Sequence, residues 1–560
     1  MKNIPTNRLG KRTFLSIPAS CHAERSEASR RAIRTRGRFA SLCVTDHPRW
    51  DNEEDPLPLA IRVLRDTRMP TNNWLLACYT CLLLALGFMV ISDQMLHWFI
   101  IPVLFCGFIT GVDTIDWLCG RVDTFDTVGI LGLYGWYFFF LAPLLHVYWN
   151  RWTVNAIWPA DWRPWLGVMA ALNALGLIVY RASSRVMAEL VQKRTTKTWK
   201  LNLTCYWWFI SAALLITALA QIQVYRDFGG IQSYIAAATD QQVRGEQFQG
   251  VGWIFMISES FPILAIAAYA VYARTYNSGH SWKTIILALI VFLGLRILFG
   301  GLRGSRSSIV WALFWGVGII HFWVKPVPRK FIFMGVSFLV VFMYLYGFYK
   351  SAGLDSIQAL ESTDARVALE ESTGRDLKST LLGDLARSDI QSFLVYRITS
   401  STSDYVYAMG RTYLSAVSIL IPRSIMERQP NKSKEGTEVQ HGMGSYIPVE
   451  WESSKVYGLA GEAMLNFGPA GVPFAFLVWG LLVGRIRGFI ASLNPSDPRL
   501  LIAPLLINLG IVVLVGDLDN DIFYLIKNGF LPMMVLVMAS FLPYRDWPHA
   551  RATLQRYKKT

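Results

Sequence analysis

Charge is scarce in this 560-residue chain: Asp, Glu, Lys and Arg together make up only 17% of it. So low a share over such a length excludes a disordered polyelectrolyte and a soluble multidomain protein. Cysteine is scarcer still, with seven residues in all. Cys78, Cys81, Cys106, Cys119 and Cys205 lie in or beside apolar runs, and Cys21 and Cys43 in the N-terminal stretch. The Cys78-x-x-Cys81 spacing has no second pair, so neither a disulfide framework nor a metal site is expected there; both read as small apolar side chains. No basic stripe interleaved with aromatics accompanies the net charge of +15, so a nucleic-acid partner is not expected.

What is abundant is apolar. The chain is 53% hydrophobic, with 21 Trp, 32 Phe and 23 Tyr, and carries many long uncharged runs. About twelve runs fit a bilayer, near 74–92, 96–112, 128–149, 165–180, 205–222, 251–273, 284–302, 307–324, 331–349, 469–487, 501–516 and 522–542. Trp149, Trp165, Tyr180 and Tyr544 stand at their ends, as interfacial aromatics do. The expected fold is therefore an all-α, polytopic transmembrane helical bundle.

Five regions follow. Residues 1–68 hold 14 Lys and Arg and 8 Asp and Glu without periodicity, and read as a disordered tail. Cys21 to Arg34 resembles translated intergenic repeat DNA, so the true start is expected at Met69. Spans one to nine occupy 69–349, a polar segment 350–468, spans ten to twelve 469–542, and a short tail 543–560. Lys and Arg in the segments 181–200, 325–330, 485–499 and the C-terminal tail, with Arg121, Arg274 and Lys283, number 20, against six in the alternate short loops. The excess of positive charge predicts cytoplasmic termini and an external, periplasmic position for 350–468. The expected location is a bacterial inner membrane.

Three charges fall where they cost energy. Glu259, in Ser258-Glu259-Ser260-Phe261-Pro262, and Arg296 each lie roughly 10 Å below the outer surface on consecutive spans, and Lys527 at a similar depth. Charges so placed pair, face the bundle interior or line a wet cavity. Both readings stay open: a bridge aligning two helices, or a substrate cavity. Above them runs Gly300-Gly301-Leu302-Arg303-Gly304-Ser305-Arg306, where glycines let backbone N–H groups approach an anion. Arg303 and Arg306 suit an anion site or lipid phosphate.

Within the polar segment, Leu377, Leu381, Leu382, Leu385 and Phe393 recur at helical spacing and predict amphipathic helices lying over the membrane face. The apolar stretch inside Arg411–Arg428 is too short to span and predicts an interfacial or re-entrant segment that brings Arg423 to the membrane edge, followed by Lys432 and Lys434. Glu462, just before span ten, and His441, the one histidine of the segment, are candidate bases; Glu462 also suits the N-terminal dipole of a helix. Asp517, Asp519 and Asp521 read first as a solvated turn and second as a carbohydrate contact.

Four places together resemble bacterial oligosaccharide repeat unit polymerases of the O-antigen polymerase type. They are Asp126 to Trp149, ending Ala-Pro-Leu-Leu-His-Val-Tyr-Trp, the segment 300–306, Ile421-Pro422-Arg423 with its basic tail, and Gly458 to Val472 with Glu462-Ala-Met-Leu-Asn466-Phe467-Gly468. Where that family often has Lys-Pro after the Ile-Pro segment, this chain reads Arg428-Gln429-Pro430. The resemblance implies a metal-independent glycosyltransferase needing no cofactor. It would move a growing glycan from undecaprenyl pyrophosphate to another lipid-linked repeat unit. The implied partners are the undecaprenyl-pyrophosphate-linked oligosaccharide, membrane lipid, a chain-length regulator and a flippase. Arginine forks are suited to a departing pyrophosphate, which makes Arg303, Arg306, Arg423, Glu462 and His441 the candidate catalytic residues. Arg296, Glu259, Lys432, Lys434 and Lys527 are the candidate substrate contacts. An O-antigen ligase would share these features; a lipid-linked oligosaccharide flippase is the rival outside enzymes, though no internal repeat is found.

Overall fold

The computed structural model describes residues 71–154, 158–193, 198–239, 252–303, 306–352, 362–373, 376–400, 403–421, 432–447 and 455–541, the side chains of 71, 72, 238, 239, 252, 303, 306, 350–352, 372, 373 and 541 excepted. Among them there is no strand, and ten helices are long and apolar enough to cross a membrane. The chain is an all-helical membrane protein. The crossing helices are α1 (Asn73–Ile91), α2 (Ile100–Leu118), α3 (Thr127–Trp149), α4 (Arg163–Gln192), α5 (Leu203–Asp227) and α6 (Trp253–Tyr276). A shorter helix α7 (Trp282–Leu298) follows, then α8 (Ser307–Val324) and α9 (Arg329–Tyr349). After the polar segment come α14 (Gly471–Ser492), the short α15 (Ala503–Val515) and α16 (Leu518–Ser540). All twelve apolar runs are helical; α7 and α15 are the two that fall short in length.

The polar segment contributes α10 (Ser388–Thr399), α11 (Arg411–Ser418), α12 (Lys432–His441) and α13 (Gly458–Phe467). Here the structure departs from the amphipathic reading. Ser388 to Val395 are buried without a break, so the first two turns of α10 are enclosed on all sides, and the helix packs on α4 and α13. Hydrogen bonds accommodate its polar side chains: Asp389 accepts from Thr153 N at 3.0 Å, and Gln391 donates to Tyr457 O at 2.9 Å.

Close helix approach comes from small residues. Gly480, Gly484 and Gly488 form a four-residue repeat on α14, facing Tyr180, Ser184 and Ala188 of α4. A Cβ at Gly488 would stand 2.7 Å from Ala188 O, so larger residues would push the two backbones apart. Two fully buried tryptophans, on α14 and α8, tie those helices to α15 and the residues before it. Trp479 donates to Gly510 O at 2.8 Å and Trp315 to Leu501 O at 3.0 Å, which satisfies each indole N–H in an apolar core.

Candidate functional site

Each helix that supplies a buried charge is irregular where it does so. Helix α6 is interrupted at Glu259 and Ser260, with Pro262 starting its second part. Helix α16 widens into a π-turn over Leu525–Gly529, which turns Lys527 inward. Helix α7 ends two residues after Arg296, at Leu298. The loosened backbone is used: Arg296 Nη1 donates to Glu259 O at 2.8 Å, and Ser260 Oγ donates to Lys527 O at 3.0 Å. Broken helices are tolerated at membrane depth where such partners exist.

Glu259 is the hub. Its Oε2 lies 3.1 Å from Arg296 Nη2 and 2.5 Å from Lys527 Nζ, and all three side chains are buried. Lys527 also donates to Ser308 Oγ at 3.1 Å. Among the described residues, two cations thus share this carboxylate. Directly against it sits Gly300, at φ 122°, where a Cβ would collide with the Glu259 carboxyl group; only glycine fits the turn. Tyr346 Oη donates to Gly301 O, and Tyr349 Oη to Leu302 O at 2.9 Å, fixing the turn from α9. Arg303 ends that turn and Arg306 opens the following helix. The cluster therefore underlies the backbone that carries both arginines.

Around Glu462 a second polar group forms. Glu462 Oε1 accepts from Thr412 Oγ1 at 2.8 Å, and Oε2 from Leu518 N, at the start of α16, at 2.8 Å. Asn466 donates to Thr412 Oγ1 at 2.7 Å and accepts from Gly410 N at 2.9 Å. Glu462 thus ties α13 to α11 and to an amide at a helix N-terminus, with both oxygens engaged. Asp517 is no solvated turn. It is 1% exposed, accepts from Tyr457 N and Gly458 N at 3.0 and 2.9 Å, and meets Lys432 Nζ at 2.7 Å. Lys432 also reaches Asp519 at 3.0 Å, while Asp521 Oδ1 is buried without a hydrogen-bond partner among the described residues. Burial works against the lysine charge, but Asp517 and Asp519 outweigh it and hold Lys432 above its usual range. Burial, reinforced by the Asp517 charge, pushes Glu462 up to about 8.

That shift has a sign. Unfolded, Glu462 loses its proton near 4.5; folded, it keeps it to about 8. Between those values the folded chain binds more protons, so stability falls as pH rises through the window, and the cost is complete above it. Glu462→Gln should therefore unfold at a higher temperature than wild type above pH 8, with the difference vanishing below pH 4.5. Thermal unfolding of the purified protein over that range checks this, and a pH-independent difference would contradict it.

No family model matches the chain, and neither a curated protein nor a solved structure matches it.

Of the sequence candidates, the structure gathers Glu259, Arg296 and Lys527 into one cluster and Lys432 and Glu462 into the other. His441 is exposed at the end of α12, and Lys434 is partly buried on the same helix. Arg423 and Arg428 lie outside the described residues. Sequence reasoning missed Asp517 as the lysine's partner. It also missed a charged cavity bounded by α2, α3, α4 and α14. Its signal was Asp113, with Asp116 three residues on, inside the last turns of the apolar helix Ile100–Leu118.

Proposed function

We propose that the chain is an O-antigen-type polysaccharide polymerase, a metal-independent glycosyltransferase of a bacterial inner membrane with both termini in the cytoplasm. It transfers a growing glycan from undecaprenyl pyrophosphate to another lipid-linked repeat unit at the periplasmic face. The observation that carries the reading is the buried cluster with two cations on one carboxylate, beneath the glycine turn leading to Arg303. Buried cations at membrane depth raise the local positive potential, and a pyrophosphate leaving group is an anion that such a potential favours. Arg303, Arg306 and Arg423 would hold it through bidentate contacts, with Arg296 and Lys527 raising the local potential from below. Electrostatic stabilisation of the departing pyrophosphate is then the main chemical contribution of the protein.

The acceptor hydroxyl needs a proton acceptor. His441 is exposed on the polar segment, whereas Glu462 would have to release Thr412 or Leu518 first. Glycan analysis of a deletion strain tests the function. Single repeat units on lipid A core are expected, restored to a full ladder by wild type and cut to very short chains by Arg303→Lys and Arg423→Lys at unchanged protein level. A deletion strain with polymer accumulated on undecaprenyl pyrophosphate would mean a ligase, and one with no repeat units on the core a flippase.

A further inference from the structure

A cavity of about 80 Å³ lies on the helices of the first half of the chain, with α14 closing one side. It stands about 24 Å along α14 from Gly471, at the end of the bundle remote from Glu462. Nothing in the polymerase reading uses it. Arg487 Nε donates to Asp126 Oδ2 at 3.1 Å, and the other oxygen of Asp126 caps α3 by accepting from Gly129 N at 2.9 Å. The guanidinium is thereby anchored on one edge, while its Nη donors have no hydrogen-bond acceptor among the described residues. Tyr180 also lines the cavity. It is 6% exposed, and its hydroxyl has no hydrogen-bond partner among the described residues. Buried hydroxyls are seldom left so. Ser184, whose hydroxyl donates to Arg181 O at 3.3 Å, and Arg185 also line it.

The carboxylates of this cavity are already engaged. Asp113 takes Arg181 Nη2 at 2.9 Å, Asp126 takes Arg487, and Asp116 accepts from Asn73. A cation would have to displace an arginine from Asp113 and from Asp126, and an amide from Asp116. An anion, by contrast, meets the Nη edge of a guanidinium held by Asp126 and the Tyr180 hydroxyl. Several donors converging from different helices suit the three or four oxygens of a phosphoryl group better than the two of a carboxylate.

We propose that this cavity is a phosphate site, taking the phosphoryl group of a lipid headgroup or of a soluble phosphate compound at the membrane end opposite the proposed active site. The inference stands whether or not the chain is a polymerase. The test uses the purified full-length chain and two probes: inorganic phosphate, and dioleoyl phosphatidic acid in mixed micelles with diacylglycerol as the phosphate-free control. Phosphatidic acid is expected to bind and raise the unfolding temperature over the control. A matching shift with inorganic phosphate assigns the site to soluble compounds, and a shift with phosphatidic acid alone to a lipid. Arg487→Lys should weaken binding by about tenfold, near 1.4 kcal/mol. Tyr180→Phe, which keeps the ring packing, should weaken it several-fold. No binding of either probe to wild type overturns the proposal, and so does unchanged binding in Tyr180→Phe together with a folded Arg487→Lys.

Discussion

Glu259→Ala is expected to remove most of the folded protein from the membrane, and to do so more severely than Arg296→Ala. The order follows from the count of charges. Loss of Glu259 takes from both Arg296 and Lys527 the carboxylate that they share in a buried site. Loss of Arg296 leaves Glu259 still paired with Lys527 at 2.5 Å. Removing one partner from a buried ion pair costs about 3–5 kcal/mol, a large part of the stability of an ordinary domain. Arg296→Ala should fall below that range because one cation remains. The reciprocal exchange, Glu259→Arg with Arg296→Glu, should recover little, since an arginine at 259 would meet Lys527. Glu259→Gln keeps the shape and should give intermediate protein levels. Protein level by immunoblot, with unfolding temperature in detergent, checks the order; equal levels for Glu259→Ala and wild type would discard the cluster as a structural element. Polymer length per folded molecule then asks a second question. Variants that fold but make no polymer support a substrate cavity, and variants with normal ladders leave only a bridge between helices.

The membrane fold was legible because it rests on composition. Long apolar runs marked the ten crossing helices and the two shorter ones, α7 and α15, and the cost of charge at depth singled out Glu259, Arg296 and Lys527. Other features depended on distance in sequence. Lys432 and Asp517 stand 85 residues apart and meet only through folding, so three nearby aspartates looked like a solvated turn. Helix α10 looked amphipathic because Leu382 and Phe393 recur among polar residues; its polar side find partners in Thr153 and Tyr457, which no local pattern contains. Arg487 and Arg181 had been counted toward sidedness alone. Their second role is visible only with Asp126 and Asp113 opposite them.

Lys432→Met should destabilise the chain by about 3–5 kcal/mol, on the same reasoning of a buried pair stripped of one member. Here the uncompensated sign is negative. Lys432 is the cation that bridges Asp517 and Asp519, and Glu462 and Asp521 add two further carboxyl groups around them. Without the lysine, Asp517 would keep its two backbone donors, Tyr457 N and Gly458 N, but lose its counter-charge. Asp517→Asn in the same chain should rescue the fold, because an amide oxygen still accepts from both N–H groups and no buried charge remains. Lys432→Arg should be tolerated less well than the rescue, since a planar fork must fit where a compact ammonium sits at 2.7 Å. Unfolding temperatures of the single variants and the double variant decide the matter: a Lys432→Met chain as stable as wild type, or no gain on adding Asp517→Asn, would remove the pair from any account of how the polar segment docks on α16. If Lys432 also contacts substrate, the rescued double variant will fold and still fail to extend glycan, which separates the two roles of one side chain.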